Sequence, residues 1–248
     1  RGIVIARDAD GKPLRMIGTH SDITERKASE AQIWRQANFD QLTGLPNRRM
    51  LRTRLEEALS RSQSRDTKLA VVFVDLDHFK EVNDTLGHEA GDLLLVEAAQ
   101  RIQKSLGGSD TVARMGGDEF TLVINHVTDT AALDIQLQGV LDKMAKAFPI
   151  RTEQVFVSAS LGVALYPDDA TTVEDLFKHA DQALYVAKGA GRNRYAFFTP
   201  ELEEAAQNRL RLAADLRGAL AGNEFEVVYQ PIIHLASGQV TKAEALLR

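Results

Sequence analysis

Two short acidic segments carry the side chains with the clearest chemical potential in this 248-residue sequence. Asp75 and Asp77 end an apolar run that begins at Leu69, and alternation along a strand places both carboxylates on one face. The second segment is Gly116-Gly117-Asp118-Glu119, in which two glycines let the backbone approach a bulky ligand closely. Taken singly, each segment is equally well explained as solvated charge at the end of a strand or turn.

Taken together, the two segments predict a metal site. Adjacent strands of one sheet would bring Asp75 close to Asp118. Converging carboxylates without a histidine cluster suit a hard cation such as Mg²⁺, with Mn²⁺ as an alternative. Because Mg²⁺ keeps water and phosphate oxygens as its other ligands, phosphoryl or nucleotidyl transfer is the natural chemistry for such a site.

The amino-acid composition excludes several classes of protein and of functional site. The sequence has no cysteine, which excludes a disulfide scaffold, a thiolate zinc site and a cysteine nucleophile. The formal net charge of -5 provides no global positive field for nucleic acid. No apolar run approaches the roughly 20 residues of a membrane span, so no membrane segment is expected in this chain.

Apolar periodicity predicts the elements that must position the acidic segments. Helices are predicted at 39–60, 92–106, 131–148 and 172–188, and strands at 69–75, 111–115, 120–125, 155–165 and 195–198. This order predicts an α/β (α+β) domain with a mixed central sheet flanked by helices. Outside it we expect a hairpin over 3–17, helices over 22–38 and 200–222, and strands over 225–233 and 240–247.

A set of motifs in consecutive order resembles the GGDEF domain over residues 39–199. The motifs begin with Asp40-Gln41-Leu42-Thr43-Gly44-Leu45-Pro46-Asn47-Arg48 and Phe73-Val74-Asp75-Leu76-Asp77-His78-Phe79-Lys80. Gly87-His88-Glu89-Ala90-Gly91-Asp92, Arg114-Met115-Gly116-Gly117-Asp118-Glu119-Phe120 and Ala187-Lys188-Gly189-Ala190-Gly191-Arg192-Asn193 follow. The resemblance implies a fold like the palm of class III nucleotide cyclases and the synthesis of cyclic di-GMP from two GTP molecules.

The resemblance also implies roles at the metal and catalytic positions. Asp75, the carbonyl of Leu76, Asp118 and Glu119 are the implied metal ligands. Asp118 is the implied general base, with Glu119 and Lys80 as further catalytic residues. Asp77 is expected to order the site rather than to touch the metal.

Further residues are implied to bind GTP. The backbone at His78, Phe79 and Lys80, predicted to be a loop, would cradle phosphates. Lys188 and Arg192 would supply cations, and His88 would have a positional role. Asn83 and Asp92 would read the base, because a carboxylate accepts hydrogen bonds from two guanine donors that adenine lacks.

One departure from the pattern is Gly107, which stands where many members have the arginine of an inhibitory product site, although Asp110 is present. Feedback inhibition there is expected to be weak or absent.

The flanks resemble other families. Residues 1–22 are similar to the tail of a PAS sensor domain, and 23–38 to its linker or signalling helix. Residues 200–248 are similar to the first strands of an EAL phosphodiesterase, whose first metal ligand would be Glu244. We therefore expect a longer, bacterial, cytoplasmic parent protein, with or without a membrane anchor.

Three functions remain open at this stage. A diguanylate cyclase would need a homodimer, because each domain holds one GTP and the product needs two. Alternatively, the parent chain is mainly a cyclic di-GMP phosphodiesterase, which this chain alone could not be. In the third reading, the domain is a GTP-binding regulator within such a phosphodiesterase.

Overall fold

A computed structural model describes residues 2–18, 22–222 and 224–248. Residues 1 and 19–21, which belong to the predicted PAS remnant, lie outside the described residues. Within the described ranges, no helix is both long enough and apolar enough to cross a membrane.

Seven helices and eleven strands are present in the described ranges. The helices are α1 (Thr24–Asn38), α2 (Arg48–Arg65), α3 (Phe79–Leu86), α4 (His88–Gln103), α5 (Thr130–Met144), α6 (Val173–Gly189) and α7 (Pro200–Ala221). The strands are β1 (Gly2–Arg7), β2 (Pro13–Gly18), β3 (Lys68–Leu76), β4 (Thr111–Gly116), β5 (Glu119–Val127), β6 (Phe148–Ile150), β7 (Glu153–Val155), β8 (Ala159–Tyr166), β9 (Tyr195–Phe197), β10 (Val227–Ile233) and β11 (Val240–Leu247).

The central sheet has five strands in the order β4-β5-β3-β8-β9. All neighbours are antiparallel except β8 and β9, which are parallel and are connected through α6. The sheet is therefore mixed and lies between helices, which confirms the predicted α/β architecture.

Strand β3 is the middle of the sheet and contributes to a core on each face. Ala70, Val72 and Val74 pack into the core that includes residues of α3, α4 and α5. Leu69 and Val71 pack into the core that includes residues of α2 and α6. This two-sided burial is the reason the strand is a nearly continuous apolar run in the sequence.

Helix α2 begins later than predicted. The prediction of a helix from residue 39 is wrong because residues 40–46 form a turn whose polar groups are satisfied locally. The Asp40 carboxylate accepts hydrogen bonds from the backbone N–H and the hydroxyl of Thr43, at 2.8 and 2.6 Å. The Asn47 side chain then caps α2 by accepting from the backbone N–H of Met50.

Helix α3 was predicted to be a loop at its start, and this prediction is also wrong. The chain leaves β3 through His78, whose φ of 62° is left-handed, and enters the helix at Phe79. Phe79 and Val82 are buried against the core, so a single turn of apolar spacing holds this eight-residue helix in place.

The helix predicted over 131–148 ends at Met144, and a small hairpin of β6 and β7 follows it. Arg101 explains the change of direction. Its guanidinium donates to the carbonyl oxygens of Lys143, Lys146 and Ala147 and lies 3.7 Å from the ring centroid of Phe148. The strand predicted to start at residue 155 accordingly starts at Ala159.

The hairpins β1-β2 and β10-β11 each form a separate two-stranded sheet. The large apolar side chains that they expose are Ile3, Ile5, Leu14, Met16, Ile17, Val227, Tyr229, Ile232, Ile233, Val240, Leu246 and Leu247. Both hairpins were predicted from the sequence.

Candidate active site

The two acidic segments meet at one end of the central sheet. In the antiparallel register of β3 and β5, Asp75 lies opposite Glu119, and the backbone N–H of Leu76 donates to the carbonyl oxygen of Asp118 at 3.4 Å. Asp75 is 8% exposed, Asp118 is half-buried and Glu119 is exposed. The strand pairing therefore gathers the three predicted acidic ligands at a partly open edge.

Lys188 supplies the nearest positive charge. Its Nζ lies 2.7 Å from Oδ2 of Asp75, and its side chain is 34% exposed. Lys188 belongs to the last turn of α6, where a cation also stabilises the helix dipole.

The position of α6 depends on a close approach at Gly162 of β8. A Cβ atom added there would lie 2.1 Å from the carbonyl oxygen of Ala180 and 2.2 Å from the backbone nitrogen of Leu184. Helix α6 therefore rests directly on the strand backbone. Since Lys188 follows Leu184 by one helical turn, the contact between Gly162 and α6 also sets the distance between Lys188 and Asp75.

Asp77 is buried beneath the same edge, with 2% exposure. Its carboxylate accepts hydrogen bonds from the hydroxyls of Ser158 and Ser160, at 2.6 and 2.7 Å, and from the backbone N–H of Asn193, at 3.1 Å. Arg192 lies close by, with its Nε 4.0 Å from Oδ1 of Asp77. These are the contacts of a residue that holds segments together, which agrees with the predicted ordering role.

The charge balance of the edge favours an added cation. Burial raises the pKa of Asp75, the ion pair with Lys188 opposes the rise, and the neighbouring carboxylates add to it. Burial also raises the pKa of Glu119, as do the charges of Asp75 and Asp118. The carboxylates thus repel one another, and only Lys188 opposes this in both cases.

The donor set fits Mg²⁺, because carboxylate and carbonyl oxygens are the hard ligands this ion takes. In the described part of the chain, no three acidic or histidine side chains already surround one point.

The N-terminal turn of α3 borders the acidic edge, because β3 runs into it through Asp77 and His78. The first turn of a helix presents unpaired backbone N–H groups, which form a ready-made site for phosphate. Phe79 and Lys80 open this helix, so the predicted phosphate cradle is a helix terminus rather than a loop. Lys80 and His78 are exposed there.

Asn83 and Asp92 are brought close by the contact between α3 and α4. A Cβ atom added to Gly91 would lie 2.0 Å from Oδ1 of Asn83, so the Asn83 side chain lies against the backbone one residue before Asp92. Oδ1 of Asn83 is buried and has no hydrogen-bond partner among the described residues. Asp92 and His88 are exposed on α4. An unpaired buried acceptor beside a free carboxylate suits a ligand with several hydrogen-bond donors.

Asp110 lies away from this edge and is engaged in its own turn. Its carboxylate accepts from the backbone N–H groups of Gly107 and Asn125, both at 2.9 Å, and from Nε2 of Gln136 at 3.2 Å. The first contact closes the loop between α4 and β4, and the other two join this loop to β5 and α5. The carboxylate that we predict to belong to a degenerate inhibitory site is therefore already hydrogen-bonded within the protein.

Several positioning residues were not predicted from the sequence. Arg114 donates to both carboxylate oxygens of Asp40, at 3.1 Å, and to the carbonyl oxygen of Gly117, at 2.8 and 3.0 Å. It thereby ties the Gly116-Gly117 turn to the start of the domain. Ser158 and Ser160 were also missed, although their alternation before an apolar strand places both hydroxyls on one face.

Comparisons with known proteins agree with this geometry. The family model described as "Diguanylate cyclase, GGDEF domain" matches residues 37–194. MucR of Pseudomonas aeruginosa, a bifunctional diguanylate cyclase and cyclic di-GMP phosphodiesterase, is 42% identical over 227 residues, which are 91% of this chain and 33% of MucR. The cyclic di-GMP phosphodiesterase NbdA of the same organism is 40% identical over 220 residues, which are 89% of this chain and 28% of NbdA.

A solved structure has a similar fold. The crystallised GGDEF domain of TpbB (YfiN) from Pseudomonas aeruginosa superposes with a TM-score of 0.67 at 38% identity, covering 68% of this chain and 99% of that one. The chain spans a third or less of the length of the two curated relatives named above.

Proposed function

The chain belongs to the GGDEF family of diguanylate cyclase domains, and we propose that residues 39–199 condense two GTP molecules into one cyclic di-GMP and two pyrophosphates. The observation that carries the proposal is the meeting of Asp75, Asp118 and Glu119 at a sheet edge, with Lys188 above it and the N-terminus of α3 beside it. The side chains proposed for one half of the reaction all lie in the described part of the chain, and a second copy would supply the other GTP.

The reaction forms two phosphodiester bonds between the two nucleotides, each by the same step. The 3′-hydroxyl oxygen of one GTP attacks the α-phosphorus of the other, the bond to the β-phosphate breaks, and pyrophosphate leaves with the electron pair. Asp75, the Leu76 carbonyl, Asp118 and Glu119 would hold the metal ion. When bound, that ion neutralises phosphate charge and lowers the pKa of the attacking hydroxyl.

The side chains and amides of the protein orient the substrate. The first N–H groups of α3 and the ammonium of Lys80 bind the β- and γ-phosphates. Lys188 and Arg192 offset the negative charge of the phosphates, which the net charge of -5 of the chain does not do. Asp118 accepts the proton of the attacking hydroxyl, with Glu119 beside it.

Two copies of the domain must face each other, because one site holds one GTP. Helix α1 is suited to bring them together. It has no buried residue, and Ile33 and Trp34 are 65% and 54% exposed. A homodimer through this segment follows as part of the proposal.

Asp92 is proposed to select guanine. Replacing Asp92 by asparagine exchanges a charged acceptor for a group that also donates, so GTP binding loses a charge-assisted hydrogen bond of about 1.5–3 kcal/mol. We expect the preference for GTP over ATP to fall by roughly 10- to 100-fold. Competition binding with both nucleotides measures this ratio. Asp215→Asn, the same change on exposed α7, is the control, and an unaltered ratio in Asp92→Asn would remove Asp92 from this role.

Product inhibition at the Asp110 position is proposed to be weak. Because Asp110 already accepts three hydrogen bonds, Asp110→Ala should leave cyclic di-GMP affinity unchanged while lowering the free energy of unfolding by about 1–3 kcal/mol. Isothermal titration with cyclic di-GMP and denaturant unfolding measure the two effects. Tight product binding that disappears in Asp110→Ala would contradict the proposal.

Chromatography after incubation with GTP and Mg²⁺ tests the main proposal. We expect cyclic di-GMP and pyrophosphate, with specific activity rising with protein concentration as dimers form. Constant specific activity over a wide dilution range would contradict the dimer. GTP binding without product would favour the second candidate, a regulatory GTP-binding domain in a phosphodiesterase, which the similarity to NbdA makes a specific alternative.

The flanking segments are proposed to belong to a PAS sensor (residues 1–22) and an EAL phosphodiesterase (residues 200–248), joined to the cyclase by the helix at 23–38. Their hairpins expose apolar faces, and an isolated two-stranded hairpin is marginally stable at best. Glu244 lies exposed on β11 opposite Gln230, where it would contribute one metal ligand to the phosphodiesterase.

A further inference from the structure

The ion pair between Lys188 and Asp75 occupies a carboxylate that the proposed function needs for the metal. Within the described residues, Lys188 is the one side chain that is paired with Asp75. The Asp75 side chain is only 12% exposed, so few approaches to its oxygens remain. The ammonium therefore stands where an incoming cation would have to bind.

Binding a divalent ion and this ammonium at the same carboxylate is electrostatically unfavourable. Mg²⁺ binds carboxylate oxygens at about 2.0–2.1 Å. With Nζ of Lys188 2.7 Å from Oδ2 of Asp75, the two cations would lie within a few ångströms of each other and repel strongly. Metal binding at this carboxylate therefore competes with its pair to Lys188.

Lys188 can leave without moving its helix. Helix α6 is fixed at Gly162, where no room remains between the strand and the backbone of Ala180 and Leu184. The lysine stem has four rotatable carbon bonds and is 34% exposed at the helix end. The polyphosphate of a nucleotide offers it several charged oxygens in place of one carboxylate.

We infer that Lys188 is a placeholder cation that makes metal binding at Asp75 conditional on nucleotide. Without nucleotide it holds Asp75 and keeps the metal out. With nucleotide it moves to the phosphates and frees the carboxylate. This inference rests on the proposed function, since it assigns the same edge to metal and nucleotide. By linkage, nucleotide must then raise metal affinity by the same factor by which metal raises nucleotide affinity.

The test is metal binding without nucleotide. The full chain and its Lys188→Met variant are titrated calorimetrically with Mg²⁺ alone and, separately, with Mn²⁺ alone. We expect Lys188→Met to bind the bare ion at least about tenfold more tightly than the unaltered chain, within the usual range of site coupling. Lys188→Arg keeps the cation and should bind the bare ion as weakly as the unaltered chain.

A second titration adds a non-hydrolysable GTP analogue. Metal affinity of the unaltered chain should rise at least about tenfold with the analogue, whereas Lys188→Met should show a smaller rise. The control is Lys178→Met, which removes the same charge from the same helix at a residue paired with Glu203. It should change neither titration. Thermal unfolding of each variant verifies that it is folded.

Two outcomes would overturn the inference. One is a Lys188→Met variant that binds the bare ion no more tightly than the unaltered chain. The other is an equal gain in Lys178→Met, which would indicate a general charge effect. The readout is independent of catalysis: coupled binding without cyclic di-GMP would defeat the proposed function alone, and cyclic di-GMP without coupling would defeat this inference alone.

Discussion

Replacing Asp75 by asparagine is expected to reduce cyclic di-GMP synthesis by roughly a thousandfold. Asparagine keeps the shape of the side chain but removes a charged metal ligand, and the metal contributes several kcal/mol to stabilising the transition state. A loss of about 4 kcal/mol corresponds to about three orders of magnitude in rate. Steady-state synthesis at saturating GTP and Mg²⁺ measures the effect.

The control for this change is Asp181→Asn. Asp181 lies exposed on α6, and its charge contributes to the raised pKa of Glu119. The Asp181→Asn substitution therefore removes one negative charge near the same site. It should retain activity within a few-fold. If Asp75→Asn keeps activity comparable to that of Asp181→Asn, Asp75 is not a metal ligand and the site has to be assigned again.

The second large effect is expected at Gly162. A methyl group there would overlap backbone atoms of Ala180 and Leu184 in α6, which cannot move aside as the end of a flexible side chain could. Gly162→Ala should lower the free energy of unfolding by about 3 kcal/mol, the upper part of the range for overpacked cores. It should also weaken GTP binding, since Lys188 shifts with α6. Denaturant unfolding and nucleotide titration measure the two effects.

Gly139→Ala is the matched control, because the same change is made where nothing lies within 4 Å of the added carbon. Gly139 is inside α5, where alanine is the better helix former, so stability should rise by about 0.5–1 kcal/mol. Opposite signs for one chemical change would establish the close approach at Gly162. Equal effects at the two positions would contradict it.

The sheet and the acidic edge could be predicted because their signals are local. Strand β3 is a continuous apolar run, and the turn before β5 contains paired glycines, so the meeting of Asp75 and Asp118 follows from strand adjacency. One helix boundary that failed, the end of α5, depends on a distant partner. The end of α5 at Met144 is fixed by Arg101, whose guanidinium caps carbonyl oxygens some 42–46 residues away.

The contacts that complete the site could not be predicted for the same reason. Lys188 and Asp75 are far apart in the sequence, and no local pattern indicates that Gly162 carries a helix on its backbone. Helix α3 was missed because a single turn with two buried side chains gives too short a period to recognise.

The hydrogen bonds of Asp77 also determine when, during synthesis of the chain, the domain can complete its fold. They join residues separated by 81, 83 and 116 positions. On a ribosome adding roughly 5–20 residues per second, Asn193 follows Asp77 by about 6–23 s. Ser158 and Ser160 are synthesised earlier in that interval, but the third donor to Asp77 and the turn carrying Arg192 do not yet exist. The nascent domain therefore completes the proposed nucleotide site only after nearly all of the domain has been synthesised.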